Sequence, residues 1–334
     1  MRPMNTVRWG IVGTGAIAHG VAGDFQFVPG AELTAVASRT RSKAQAFATK
    51  HGVPRAYGSY AEMLQADDID VVYIATPHPQ HRDVALSAIA NGKAVLVEKA
   101  FTATLDGARQ IVKAARENGV FAMEAMWTRF LPVVAAAREV VAWGRIGDVV
   151  SVQGDLYAYR EFQPEHRLFA KELGGGAILD LGVYVVNFAQ AFLGDVKSVD
   201  CITRLYPSGV DSAANISLAH TGGGLSSLAV GFDGHGPGRM AIIGTKGWIE
   251  VEPRFHHPSM ITIHRNGVLP RIIEAMPTGR GYSHEFAEVT QRIREGHTES
   301  PTMPLEDTLE VMRVLESCLR QAGIKHCDAE LTLV

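Results

Sequence analysis

The sequence predicts an α/β protein of two domains: a parallel sheet flanked by helices, then an antiparallel or mixed sheet with helices of its own. Three observations carry this. The chain has 334 residues, more than one ordinary core accommodates. Its first third alternates short β-rich runs with helical stretches, the pattern of βαβ units. Near residue 126 that alternation stops. From about 196 to 265 strand-like runs follow one another, broken by "PSG", "TGGG", "DGHGPG" and "TKG".

Taken in order, "VRWGIVG" (7–13) is a short apolar run of the kind a buried strand needs. "ELTAVAS" (32–38), "VVYIATP" (71–77), "KAVLVEK" (93–99) and "VFAMEA" (120–125) repeat it. Between them lie helical patterns such as "HRDVALSAIANG" and "TLDGARQIVKAARENG", the second closing on Asn118-Gly119, a good helix stop. Past 126 come helical "FLPVVAAAREVVAWG", strand-like "DVVSVQGDLYAY" and a glycine-rich helix opening on Gly174, Gly175 and Gly176. Two helices, near 283–295 and 305–322, finish the chain.

Hydrophobic residues make up 46% and charged residues 20%, a globular balance. The net charge of −3, with Lys and Arg scattered, argues against a nucleic-acid partner or an anionic membrane surface. No apolar run is expected to approach the roughly 18 to 20 residues of a membrane span. The opening "MRPMNTVRWG" predicts no secretory leader. Cys201, Cys318 and Cys327 are odd in number and lack CxxC spacing, which predicts free thiols in a reducing cytoplasm. Asp67-Asp68 reads as a solvated turn.

The first strand ends in "GIVGTGAIAHG", where Gly13, Gly15 and Ala18 meet the G-x-G-x-x-G/A fingerprint. Gly13 permits the tight turn, Gly15 lets the backbone approach a pyrophosphate, and Ala18 lets the helix sit close to the sheet. The helix N-terminus then faces the phosphates. Thr14, Ala16 and Ile17 complete the loop. A Rossmann dinucleotide-binding domain follows, with Ser38, Arg39 and Thr40 after the second strand and Ala75, Thr76 and Pro77 after the strand at 71–77 as further cofactor contacts. Ser38 stands where NAD-binding folds usually carry an acid for the ribose 2′-OH, and Arg39 and Arg41 follow. A guanidinium suits a 2′-phosphate, so NADP is expected over NAD; the alternative is two solvated arginines at a helix start.

At "VLVEKA" the chain resembles the Gfo/Idh/MocA oxidoreductase family, whose strand ends in Glu-Lys-Pro; here Glu98 and Lys99 are kept and Ala100 replaces the proline. "TPHPQHRDVALSAIANGKAVLVEKAF", "FAMEAMWTRFLP" and "GGGAILDLGVYVVNF" are similar to its dihydrodiol dehydrogenase and NADP-dependent D-xylose dehydrogenase branch. The resemblance implies a Rossmann domain over 1–124 and a substrate-binding and dimerisation domain over 125–334, an α/β domain with an open, mainly antiparallel sheet through which homodimers form. It also implies reversible hydride transfer between nicotinamide and a ring hydroxyl of a sugar or cyclic diol. A tyrosine with pKa near 10 is a poor base at neutral pH, and a neighbouring ammonium corrects that. The resemblance casts Tyr184 as proton acceptor, Lys99 as its activator, and Asp180, one turn before Tyr184, as orienting substrate or Lys99. From spacing alone, Tyr184 reads more readily as a packed aromatic and Lys99 as half of a surface pair with Glu98.

Other candidates are open in role. His78 and His81, spaced i, i+3, read as nicotinamide or substrate contacts, with a structural role or a metal as alternatives; no third ligand stands out, and no metal is expected. Trp127 offers an apolar wall for substrate and cofactor, and Arg129 a partner for cofactor phosphate, unless both pack a domain junction. Phe162 is a weaker wall candidate, and His256-His257 reads as a plain loop. Selectivity is expected in the loops 157–170, 206–212 and 252–260. The rival readings are a different sugar, inositol or ketone substrate, and a non-catalytic dinucleotide-sensing regulator.

Overall fold

The computed structural model describes residues 6–331; the first residues, on which the expectation of no leader rests in part, lie outside the described residues, as do the last three. The chain divides into two compact units. One runs to Trp127 and takes in Thr278–Thr308 and the stretch from Cys327; the other comprises Thr128–Pro277 and Leu309–His326.

In the first unit β1 (Val7–Val12), α1 (Ala16–Ala22), β2 (Ala31–Ala37), α2 (Arg41–His51), β3 (Arg55–Tyr57), α3 (Tyr60–Leu64), β4 (Val71–Ile74), α4 (His81–Ala90), β5 (Ala94–Glu98), α5 (Leu105–Asn118) and β6 (Ala122–Ala125) follow in order. The sheet is wholly parallel, in the order β3-β2-β1-β4-β5-β6, so its direction of winding reverses between β1 and β4, the switch point where such sheets bind ligands. Every residue of β4 and β5 is buried, which is why their sequences are apolar runs without alternation. Asn118-Gly119 ends α5 as expected, with Gly119 at φ 61°.

The second unit holds α6 (Pro132–Ala142), β7 (Val149–Tyr157), α7 (Val183–Leu193), β8 (Val196–Leu205), β9 (Asp211–His220), β10 (Leu225–Gly231), β11 (Met240–Gly244), β12 (Gly247–Val251), β13 (Met260–Arg265) and β14 (Val268–Glu274). Its open sheet runs β14-β13-β12-β11-β7-β10-β9-β8, antiparallel except for β7 beside β10. The alternation is that of a sheet with one covered face: Ile216 and Leu218 are buried while Asn215 and Ser217 are exposed. α7 packs on β7 and β10. The register sets Leu225, Ser151, Ile243, Trp248 and His264 in one row across five strands of the other face.

One expectation needs correcting. The helical run Lys171–Leu193 is long and apolar enough to cross a membrane by length and composition, yet 78% of its apolar window is buried inside the protein. Its hydrophobicity on all sides is that of a core helix.

α8 (Ser283–Arg294) packs on β1 and β2 of the first unit. Trp9, wholly buried on β1, explains the return: its ring meets Phe286 at 5.0 Å and Phe25 at 5.4 Å, and its indole N–H donates to Thr290 Oγ1 at 3.2 Å. The buried carboxylate of Asp24 starts α8 by accepting the N–H groups of Arg280, Tyr282 and Ser283. α9 (Leu305–Gln321) follows. Glu285 on α8 is fully buried, and neither carboxyl oxygen has a hydrogen-bond partner among the described residues. Burial, with Glu98 and Asp24 adding repulsion, raises its pKa well above the usual carboxylate value. The folded state therefore holds this proton longer than the unfolded chain does, so stability falls as pH rises past the unfolded value near 4.3. Glu285→Gln is expected to raise the thermal midpoint at pH 8, by roughly 2–4 °C per kcal/mol relieved, and by less at pH 5. A midpoint unchanged at both pH values in differential scanning calorimetry contradicts this.

Candidate active site

The turn between β1 and α1 is dictated by Gly13. Its φ is 101°, and a Cβ there would lie 2.7 Å from the Ala75 carbonyl oxygen at the end of β4. No residue with a side chain satisfies both constraints. A Cβ on Gly15 would meet nothing within 4 Å, because that backbone faces open space. Ala18 is wholly buried. The turn borders a cleft of about 730 Å³. Of the sequence-predicted cofactor residues, Gly13, Thr14, Gly15, Ser38, Arg39, Thr40, Ala75, Thr76 and Pro77 line it together. Thr14 Oγ1 donates to Ser38 Oγ at 3.4 Å.

The same wall carries Lys43 and Lys50 of α2, which sequence reading passed over, and His19 of α1. Arg39 donates to the hydroxyl of Tyr60, another lining residue. Arg41, the other predicted guanidinium, instead faces Glu62 at 3.9 Å. Among the described residues no carboxylate lines the cleft, whereas one guanidinium and two ammonium groups do. An exposed backbone turn at a helix N-terminus, beside cations and no acid, fits a dinucleotide bearing phosphates.

The remaining predicted residues of this unit stand apart from that lining: Ala16 and Ile17 open α1, and His78, His81, Glu98, Lys99 and Trp127 lie elsewhere. His81 is fully buried. Its Nε2 lies 2.7 Å from the Thr76 carbonyl oxygen, and Nδ1 sits 3.1 and 3.2 Å from the carbonyls of Ala100 and Phe101. Burial lowers its pKa to about 4, and the Lys99 ammonium pushes the same way. This imidazole ties the end of β4 to the segment after β5. His78 lies edge-on to it at 5.8 Å. Glu98 accepts from the Tyr73 hydroxyl and from the Lys99 backbone N–H. The Lys99–Ala100 peptide is cis, without the proline. Trp127 stacks on Tyr282 at 4.3 Å and 12°, a partner that sequence reading did not single out.

In the second unit Asp180 belongs to a π turn, Ile178–Gly182, that leads directly into α7, whose second residue is Tyr184. The sequence predicted an ordinary helix here; single π turns are often found at functional sites. Gly176 shows why the glycines precede it. Its φ is 117°, and a Cβ there would collide with Oδ1 of Asp211. Oδ2 of Asp211 accepts the Ile178 N–H at 2.6 Å. Burial raises the Asp211 pKa to about 7, against the opposing effect of those backbone donors.

The three loops named from sequence contact one another or the run from this turn to Tyr184. Arg167 pairs with Asp180 at 3.3 Å. Phe162 stacks on Tyr206 at 4.9 Å and 14°. The His256 ring lies 5.2 Å from that of Tyr184, with its carbonyl held by Thr128 Oγ1 at 2.7 Å. The plain loop expected at His256-His257 is thus pinned against Tyr184; nothing in local sequence signals that. Tyr184 itself is 9% exposed. Arg129, expected near cofactor phosphate, is buried with its guanidinium on Asn187 and Gln190 of α7.

Comparison with known proteins bears on this geometry. Residues 7–126 match the model of an oxidoreductase family with an NAD-binding Rossmann fold, and residues 134–250 match the GFO/IDH/MocA C-terminal domain. The chain belongs to the Gfo/Idh/MocA oxidoreductase family. Within it, trans-1,2-dihydrobenzene-1,2-diol dehydrogenase of Xenopus laevis is 35% identical over 328 residues, covering 96% of this chain and 99% of that one. A 3-ketoreductase from Actinomadura kijaniata, solved with NADP, superposes with a TM-score of 0.84 at 26% identity, over 95% of this chain and 98% of the other. Aldose-aldose oxidoreductase from Caulobacter crescentus shares the fold, with a TM-score of 0.87 at 24% identity over the same shares. As a Gfo/Idh/MocA member the protein is an oxidoreductase with a nicotinamide-dinucleotide fold. Gly13→Ala is expected to weaken dinucleotide binding by roughly tenfold or more, read by NADPH fluorescence titration; an unchanged Kd would contradict the steric reading.

Proposed function

We propose that this protein is an NADP-dependent dehydrogenase or reductase moving a hydride between nicotinamide and a ring hydroxyl of a sugar or cyclic diol. Residues 1–124 hold the dinucleotide in this reading, and 125–334 the substrate. The observation that carries it is the cleft beside Gly13: Ser38 in place of an acid, with Arg39, Lys43 and Lys50 on the wall. An acid there would repel a 2′-phosphate, and the three cations attract it. One hydrogen bond to a charged group is worth roughly 1.5–3 kcal/mol, about a ten- to hundredfold preference. The names of similar proteins, a dihydrodiol dehydrogenase and an aldose-aldose oxidoreductase, support the substrate class. The stacked Phe162 and Tyr206 and the His256 ring beside Tyr184 supply flat apolar surface of the kind a ring substrate packs against.

When bound, the nicotinamide supplies the hydride-accepting or hydride-donating C4 carbon. Tyr184 accepts the hydroxyl proton on oxidation and returns it on reduction. Lys99 favours the phenolate by its charge. Asp180 orients the substrate hydroxyl, and Trp127 and Phe162 wall the ring. A homodimer through the open face of the eight-stranded sheet fits its exposed Ile202, Leu225 and Trp248, and a cytoplasmic location fits three cysteines outside any disulfide. Sedimentation velocity at working concentration checks the dimer; a single monomer boundary removes it.

A screen at 340 nm with NADP and NAD against aldoses, polyols and dihydrodiols tests the function. Turnover of at least one class with NADP is expected. Binding of NADPH with no turnover across the panel favours the dinucleotide-sensing alternative. Arg39→Ser should shift the NADP-to-NAD ratio of kcat/KM by about ten- to hundredfold toward NAD. Tyr184→Phe should lower kcat by about 10²–10⁴-fold with little change in NADPH affinity; near-full turnover would remove Tyr184 as the proton carrier.

A further inference from the structure

The carboxylate of Asp211 has no place in the reaction just described, yet it is wholly buried at the first residue of β9. Isolating a carboxylate from water is costly unless something nearby needs it. What needs it is the start of the helical run that carries Asp180 and Tyr184. That run opens at Ala177, turns once as a π turn over Ile178–Gly182 and continues as α7. Its leading N–H groups have no acceptor within the helix. Asp211 provides one: Oδ2 takes the Ile178 N–H at 2.6 Å, and the Ala177 N–H points at the same carboxylate. The other oxygen fills the space where a side chain at position 176 would stand, so Gly176 is the counterpart of Asp211. The Gly176 N–H is itself tied to the Leu168 carbonyl at 2.9 Å, and its carbonyl accepts the Asp180 N–H at 3.3 Å. The cap therefore connects to the backbone of Asp180 within one turn.

We propose that Asp211 is the positioning residue for the Asp180–Tyr184 pair, fixing by a carboxylate cap from β9 the π turn that presents them. This rests on the reading of Tyr184 as the proton carrier. The contribution is geometric: an acceptor oxygen at one place. Removing that acceptor leaves two N–H groups to find other partners, and the turn shifts. A displacement of about 1 Å in a reacting group costs on the order of a hundredfold in rate. An amide oxygen at the same place preserves the cap.

The test compares Asp211→Ala, Asp211→Asn, Gly176→Ala and Tyr184→Phe in steady-state kinetics, with NADPH affinity by fluorescence and the thermal midpoint for each. D211A is expected to lose roughly 10- to 100-fold in kcat with NADPH affinity unchanged, since the cofactor cleft is built from residues of the other unit. D211N should recover most of that kcat. G176A, whose Cβ displaces the carboxylate, should behave as D211A does, and it decides the matter if D211A folds poorly. D211A or G176A at wild-type kcat overturns the proposal. So does D211N as slow as D211A, or a loss of kcat matched by an equal loss of NADPH affinity. A slow Y184F beside an unimpaired D211A removes only the role of Asp211; a Y184F at full speed removes the Tyr184 reading beneath it.

Discussion

The turn after β1 lies so close to the end of β4 that no side chain fits between them, and the nucleotide half of the molecule depends on that approach. Gly13 meets it twice over, with a backbone angle other residues rarely adopt and an absent Cβ where the Ala75 carbonyl stands. The strand order makes the approach necessary. Because β1 is flanked by β2 on one side and β4 on the other, the loops leaving β1 and β4 part in opposite directions and leave a crevice. The adjoining Gly15 and the first turn of α1 then expose unpaired N–H groups to it, and α2 lays Lys43 and Lys50 along the same wall. Strand order thus makes the crevice, and the residues at its rim decide what charge it receives.

The second unit solves a different problem. A sheet covered on one face offers a platform, its strands pointing side chains alternately up and down. Side chains are brought together by loops and by the irregular start of a helix. Arg167 reaches Asp180 and His256 reaches Tyr184 from two separate connections, and Phe162 of the first of these stacks on Tyr206 of a third. A π turn widens the helix at that place, and a buried carboxylate closes its open end. The polar groups sunk in this otherwise apolar region are tied to one another: Arg129 to Asn187 and Gln190, and Thr128 to the His256 carbonyl.

Much of this was legible in the residues. Buried parallel strands announce themselves as apolar runs, and the glycine fingerprint after the first of them led to the cleft that Gly13, Ser38, Arg39 and Ala75 now share. Short-range signals sufficed there because each acts within one βα unit. Where partners are distant in the chain, sequence was silent. Nothing near Arg129 says that its guanidinium is spent on α7, and nothing near His256 says that it faces Tyr184 from more than 70 residues away. Lys43 was overlooked for another reason: its distance from the second strand matters less than the turn of α2 that points it back. Arg41, two residues earlier on that helix, points toward Glu62. Three-residue β3 gave no periodicity to read. The helix before β8 reads as apolar but not as span-length, because its glycines and Asp180 interrupt the apolar run.

The late return of α8 sets an order of events during synthesis. The cover of Trp9, Phe286 and Thr290, leaves the ribosome some 280 residues after it. Until then the nascent chain carries an indole and the neighbouring Phe25 with one side unprotected, beside a sheet that is otherwise complete. Such a surface is what chaperones bind and what aggregation exploits. The nucleotide-binding half therefore cannot close its own core until α8 has been made, and a fragment ending at the obvious domain junction would keep that surface exposed.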